Sequence, residues 1–366
     1  MTKRRRQVFA WVRMVHAWSG AILALLLAVL GLSGTLLVFK DDWLRANFAG
    51  ARAGLEPTPD NLAIVAERAG AEYGDRLVSA VFGTPDMGLT RLYLTDGDAA
   101  YLGPDGATVA EWSGNARPEA WLFDLHHHLL AGDTGELLAG IAGLAAVLMT
   151  ITGLIAIWPA RRAIGARIWP RSSRRGDMLA AHRNLGLIAA LPIVLLSLTG
   201  SAMVFSVEAR ALLTAFRPAG NVVSSAAPPA WQPASDIDWS AGLAAAQAHF
   251  PRATIRIARW PSEETPAISL RLRQRAEWHP NGRTYILVDA RGAQTYVEAD
   301  AQAHPLGLRL YNALYPLHSS HLGRGLPGRL YDLFSALGGL ALTALGLLGL
   351  WAFLTHRLPT LRARAA

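Results

Sequence analysis

Two histidines occupy matching places in a repeated pattern. His16-x-x-x-Gly20 is followed, eighteen residues after the histidine, by Gly34-Thr35-Leu36-Leu37-Val38-Phe39. His182-x-x-x-Gly186 is followed at the same offset by Gly200-Ser201-Ala202-Met203-Val204-Phe205. A glycine one turn along the same helical face removes a side chain beside the imidazole, and a flat ring bound to that imidazole fits the gap. Two neutral imidazoles facing each other across a helix bundle can give a haem iron both axial ligands, leaving no open position for oxygen chemistry. Such a haem carries electrons. An interfacial histidine alone is more often a cap or an amphipathic anchor; the matched pair with matched glycines is what favours the redox reading. A proton relay or a metal-ion path competes with it, because ionisable groups within a membrane span mark such routes.

A second cluster comprises His126-His127-His128 together with His318 and His321. His318 and His321 are three apart and share a helical face, whereas His126 and His127 cannot both face one ligand. An ungapped match of His128-Leu129-x-x-Gly132-x-x-Gly135-x-Leu137 to His321-Leu322-x-x-Gly325-x-x-Gly328-x-Leu330 pairs His128 with His321. Downstream, Gly153 and Trp158 match Gly346 and Trp351. These histidines are expected on a short segment over the face of a span; a histidine-rich turn or adventitious metal binding is the plainer alternative. His249, His279 and His304 read as surface residues and His356 as interfacial.

The elements that position these groups are apolar. Of 366 residues 52% are hydrophobic, 17% are charged and none is cysteine, which excludes disulfides, thiolate metal sites and thiol nucleophiles. Ala17–Phe39, Leu137–Trp158, Leu185–Phe205 and Leu333–Leu354 each approach the ~20 residues that a spanning helix needs. The first run is longer than a signal-peptide core and is followed by Lys40-Asp41-Asp42 in place of a cleavage site, so it reads as a retained helix. Residues 1–16, 159–183 and the tail after His356 carry five, seven and three basic residues and only Asp177 as an acid. They sum to +14 against −6 for the remainder, together the net +8. Positive segments stay inside. Both termini and the middle connector are therefore expected in the cytoplasm, and the basic charge reflects topology and not nucleic-acid binding.

The expected plan is a cytoplasmic segment 1–16, a span 17–39, an outside module 40–135, a span 137–158, a basic connector 159–181, a span 182–206, a second outside module 207–330, a span 331–355 and a tail 356–366. Pro192 is expected to kink the third span. Thr58-Pro59-Asp60 opens a helix through Ala71, followed by strands at Leu77–Phe82, Leu89–Thr95 and Ala99–Leu102. The second module repeats the order: Asp238-Trp239-Ser240 caps a helix through His249, and strands follow at Thr254–Trp260, Ala267–Arg273 and Thr284–Val288. Residues 219–236 read as a linker. The fold class is a mainly α membrane protein: a four-helix bundle from a parallel two-fold repeat, bearing two α+β modules.

The histidine-glycine patterns, Leu125-His126-x-x-Leu129-x-x-Gly132, and Pro316-Leu317-His318 with Gly328-Arg329 together resemble the PepSY-associated transmembrane proteins over nearly the whole chain. The resemblance implies PepSY-like periplasmic modules, a multi-pass place in the bacterial inner membrane, and two haem b groups forming a transmembrane electron path, as in ferric-siderophore reductases. It assigns His16 and His182 to the cytoplasmic-side haem, and His126 and His318 to the outer one, with His128 and His321 still open as alternatives. Electrons would come from a quinol or a cytoplasmic reductase, since no Gly-x-Gly-x-x-Gly occurs in a strand–turn–helix context. They would leave to a ferric siderophore or other ferric chelate. The seven arginines between Arg252 and Arg283 read first as a solvated strand face. Trp43, Trp121, Trp158 and Trp351 read as interface anchors. The rivals are a PepSY-bearing anchor or regulator of a protein partner, and a proton or metal transporter; the scarcity of mid-span acids weighs against transport.

Overall fold

A computed structural model describes residues 3–215, 228–231, 236–323 and 325–365. Most of the expected linker at 219–236 and the His356 side chain lie outside the described residues. In chain order the helices are α1 (Lys3–Val38), α2 (Lys40–Asn47), α3 (Ala49–Ala53), α4 (Pro59–Tyr73), α5 (Pro118–His128) and α6 (Gly132–Ile157). They continue as α7 (Arg175–Ile188), α8 (Ala190–Val204), α9 (Ser206–Thr214), α10 (Trp239–His249), α11 (Leu306–His318) and α12 (Leu326–Ala365). The strands are β1 (Leu77–Val81), β2 (Thr90–Leu94), β3 (Asp98–Leu102), β4 (Thr108–Ser113), β5 (Thr254–Arg259), β6 (Ile268–Arg273), β7 (Thr284–Val288) and β8 (Thr295–Ala299). Two compact units share the chain. One comprises Met1–Val38, Trp121–Ser206 and Leu317–Ala366; the other comprises Phe39–Ala120 and Val207–Pro316.

The first unit is helical and apolar outside. α1, α6 and α12 are each long and apolar enough to cross a membrane, and α7 with α8 forms a further candidate span bent by 66°. The chain is thus a multi-pass membrane protein. Exposed Ile22, Leu25, Leu148, Leu191 and Leu337 cover these helices, as a hydrocarbon solvent requires. Inside, small residues let backbones approach. A Cβ on Gly31 of α1 would lie 2.5 Å from the Gly339 carbonyl oxygen of α12, and one on Gly346 would lie 2.6 Å from that of Ala24. Thr35 Oγ1 donates to Ala336 O at 3.2 Å, and Thr343 Oγ1 donates to Ala28 O at 3.1 Å. The third span, expected as one kinked helix, is broken at Ala189. Pro192 has no N–H and its ring crowds the carbonyl four residues back, that of Ile188, where α7 ends.

The second unit corrects the expectation of two separate modules. Its strands form one eight-stranded antiparallel sheet, ordered β4-β3-β2-β1-β5-β6-β7-β8. The seam pairs β1 with β5, through Ser79↔Arg259, Ala80↔Ala258 and Val81↔Ile257. Each four-stranded meander alone would leave its first strand as an open edge, and the two edges close on each other. The capped helices form as read: Thr58 Oγ1 accepts from Asn61 N, and Asp238 Oδ1 from Ala241 N. α4 and α10 share one core with the sheet, built from Leu62, Val65, Ala66, Trp239, Leu243, Ala246, Leu92, Leu270 and Ile286 among others. The opposite face carries a smaller cluster of Leu44, Ala51, Leu89, Ala99, Tyr101 and Trp112.

Two surface expectations also change. His279 and His304 are buried, not exposed. His279 stacks on Tyr315 with centroids 4.8 Å apart, and His304 Nδ1 accepts from Asn312 Nδ2 at 3.2 Å. Arg256 is buried too, and donates through Nη1 to Phe82 O at 2.8 Å and Gly83 O at 2.9 Å. That arginine belongs to the sheet seam, not to a solvated face.

Candidate functional site

The helical unit brings the sequence-matched histidines together in two couples. His16 of α1 meets His182 of α7 with ring centroids 6.2 Å apart and planes at 76°. His126, in the last turn of α5, meets His318, the last residue of α11, at 6.0 Å and 31°. His128 and His321 turn elsewhere: His128 Nδ1 lies 2.8 Å from Asp124 Oδ1, and His321 Nδ1 lies 2.8 Å from Ser319 O. The ungapped match misplaces them because the turns after the two short helices differ in length, 129–131 after α5 and 319–325 after α11.

In all four paired rings Nδ1 is engaged. His182 Nδ1 is 3.1 Å from Leu345 O, and His318 Nδ1 is 2.8 Å from Leu196 O. A carbonyl only accepts, so both nitrogens carry the proton. His126 Nδ1 is 3.0 Å from Ser33 Oγ, and His16 Nδ1 is 3.1 Å from Thr152 Oγ1. Those hydroxyls donate to Val29 O and Leu148 O in their own helices, which leaves them a lone pair with which to accept. The four Nε2 atoms therefore keep their lone pairs, as metal-binding imidazoles do when a second group holds the opposite nitrogen.

Each ring also rests on a glycine. A Cβ would lie 2.8 Å from His126 Cε1 at Gly34, 2.6 Å from His318 Cε1 at Gly200, 3.1 Å from His16 Cε1 at Gly153 and 3.2 Å from His182 Cε1 at Gly349. Gly34 and Gly200 stand out in the repeat, yet their use is to admit an imidazole from another helix. Gly20 and Gly186, expected to clear room beside their own histidines, line a cavity of about 720 Å³ with His16 and His182. Its other walls include Met149, Gly153, Leu345 and Gly346, with Arg13, Arg175 and Arg183 as cations.

This donor set fits an iron porphyrin. Metal–imidazole bonds are about 2.0–2.1 Å and each ring centre lies about 1.2 Å beyond its nitrogen, so two rings on opposite sides of one metal stand about 6.4 Å apart. The observed couples match that separation within a few tenths of an ångström. Ring planes are free to rotate about the ligand axis, so neither angle excludes it. The apolar cavity is of cofactor size, and its guanidiniums can receive the carboxylates of a porphyrin edge. Sequence reasoning placed Gly153 in the repeat but missed its role, as it missed those of Thr152, Ser33, Gly349 and the two carbonyls. The hydroxyl-glycine pairs Ser33-Gly34, Thr152-Gly153 and Thr199-Gly200 are the signal that could have revealed several of them.

A family model described as the PepSY-associated TM region matches residues 13–353. No curated protein matches the chain.

Proposed function

The chain belongs to the PepSY-associated transmembrane family, and from that premise we propose that it is a two-haem electron carrier of the bacterial inner membrane, passing electrons from the cytoplasmic side to a periplasmic ferric chelate. The observation that carries this reading is the pairing of four imidazoles at 6.2 and 6.0 Å with every Nδ1 proton already donated. A haem b held by two imidazoles would supply reversible one-electron transfer. His16 and His182 would hold one such group, and His126 and His318 the other. Leu345 O, Leu196 O, Ser33 and Thr152 keep each Nε2 aimed and basic. Arg13, Arg175 and Arg183, which line the cavity beside His16 and His182, would anchor the carboxylates of the first. The donor is a quinol or a cytoplasmic reductase. The acceptor is ferric iron held by a siderophore or similar ligand; one electron makes it ferrous, and oxygen ligands bind the softer ion less well.

The test is a haem count on protein expressed with ample haem and purified in detergent. Two iron porphyrins per chain are expected, with sharp α-bands on reduction. His16→Ala or His182→Ala should remove one, and His126→Ala or His318→Ala the other. A colourless wild-type protein overturns the proposal and returns the anchor and transport readings. Loss of the second haem in His128→Ala or His321→Ala, with His126→Ala and His318→Ala intact, reassigns its ligands.

A further inference from the structure

Next to His126 lies a third meeting of imidazoles that the paired sites leave unused. His127 and His128 close α5, and Nδ1 of the first is 3.1 Å from Nε2 of the second. Glu136, in the first turns of α6, brings Oε1 to 4.0 Å from His127 Nδ1. Ligand atoms of the three side chains all fall within 4.8 Å of one another. Adjacent residues on a helix point about 100° apart, so two neighbouring histidines converge only where the helix gives way. Here the chain turns sharply, with φ of 50° at Leu129, 59° at Leu130 and 56° at Gly132. For leucine that left-handed conformation is strained. The turn carries Glu136 back beside the two rings.

The arrangement has the parts of a metal site. On an ion with bonds of about 2.1 Å, ligands at right angles are about 3.0 Å apart and opposed ligands about 4.2 Å apart; the two separations above approach those values. His128 is oriented from behind, since its Nδ1 lies 2.8 Å from Asp124 Oδ1, which leaves Nε2 as the ligand atom. Phe123 stacks on His127 with centroids 5.2 Å apart and planes at 12°, which fixes the second ring. The ligand side chains of His127, Glu136 and His128 are 38%, 34% and 29% exposed, so an ion can enter from water and keep open positions.

We propose that His127, His128 and Glu136 bind one divalent first-row transition ion through two imidazole nitrogens and a carboxylate oxygen. Imidazole nitrogen and carboxylate oxygen are donors that ferrous iron accepts. Its role, receiving ferrous ion freed by chelate reduction, rests on the function proposed above; the binding itself does not.

The test is anaerobic equilibrium dialysis of the full-length protein in nanodiscs against Fe²⁺, counting non-haem iron and iron porphyrin in the same samples. One non-haem iron per chain is expected in the wild type. Affinity should fall at least tenfold in His127→Ala and Glu136→Gln, fall less in Asp124→Asn, and hold in His249→Ala. Monodisperse elution and an unchanged porphyrin count show that the variants fold. Non-haem iron equal in the wild type and in the combined His127→Ala, His128→Ala, Glu136→Gln variant overturns the proposal, whatever the porphyrin count. Non-haem iron bound by protein without porphyrin supports this site while removing the electron-carrier reading.

Discussion

An imidazole can bind metal only through a nitrogen that is free of its proton, so the residues that settle the chemistry of the paired sites include those behind the rings. Leu345 O and Leu196 O cannot donate, and they pin the protons of His182 and His318 on Nδ1. The glycines are the second constraint, because any side chain there occupies the volume of a ring. Gly200→Ala places a Cβ 2.6 Å from His318 Cε1, closer than such atoms approach without movement, and a packed helix yields little. The expected outcome is a second haem bound at least tenfold more weakly, in the range seen when supporting groups of a metal site are lost, with the first haem unaffected. A reduced-minus-oxidised spectrum with one α-band component missing would show it; two intact components would mean that the ring has room to shift. Of these residues His16 and His182 were legible in the sequence through repetition, whereas the repeat pointed to His128 and His321 at the second couple and only the family resemblance pointed to His126 and His318. Gly34 and Gly200 were visible too, but without a neighbour, since spacing along one helix does not say which ring arrives from another. Gly349 was hidden because Gly346 offers the same helical stripe, and only packing shows that Gly346 faces Ala24 while Gly349 faces His182.

Among elements, the helices of the membrane unit and the capped helices α4 and α10 were legible because their signals are local: unbroken apolar runs, and a capping side chain ahead of a periodic segment. β4 and β8 were not, because as the outer strands of the sheet they bury one face poorly and lack alternation. The β1–β5 seam was invisible for a different reason: its partners are far apart in sequence and nothing local marks an edge that another edge will cover. Arg256 is the pin of that seam. Burial first, and Arg273 next, pull its pKa down to about 10 against the opposing pull of Asp41, so it remains a cation at neutral pH. Its two bonds to Phe82 O and Gly83 O tie β5 to the chain just beyond β1. Arg256→Met would leave those carbonyls unpaired, and bonds to charged donors are worth about 1.5–3 kcal/mol each. A loss of about 3 kcal/mol in unfolding free energy is expected. Denaturant unfolding of the full chain, followed by tryptophan fluorescence, would read it, since Trp239 and Trp260 pack at 4.5 Å within the same core. A loss under about 1 kcal/mol would show that the seam holds without the clamp.

At the scale of the whole molecule, the continuous sheet constrains the path through the bilayer. The chain alternates between units, and the sheet draws on Phe39–Ala120 and Val207–Pro316, with Trp121–Ser206 of the membrane unit between them. A sheet whose β1 and β5 are hydrogen-bonded cannot lie on both sides of a membrane. The intervening segment must therefore cross an even number of times. If α6 crosses once, the bent pair α7 and α8 is expected to cross as well, despite the 66° break. By the same parity both termini are expected on the side of the connector, and the concentration of arginine in those three segments makes the cytoplasm the expected side. The absence of cysteine makes this directly testable, because any single introduced thiol is the only one. Ser113→Cys and Ser262→Cys, one in each half of the sheet unit, should react with a membrane-impermeant maleimide in intact spheroplasts, and Ser173→Cys only after permeabilisation. Labelling of Ser113→Cys and Ser262→Cys from opposite sides would break the parity and with it the paired sheet. Labelling of all three from outside would deny that α6 crosses at all, and would leave the His16–His182 couple on the same side as the sheet, with no path across the membrane for an electron to take.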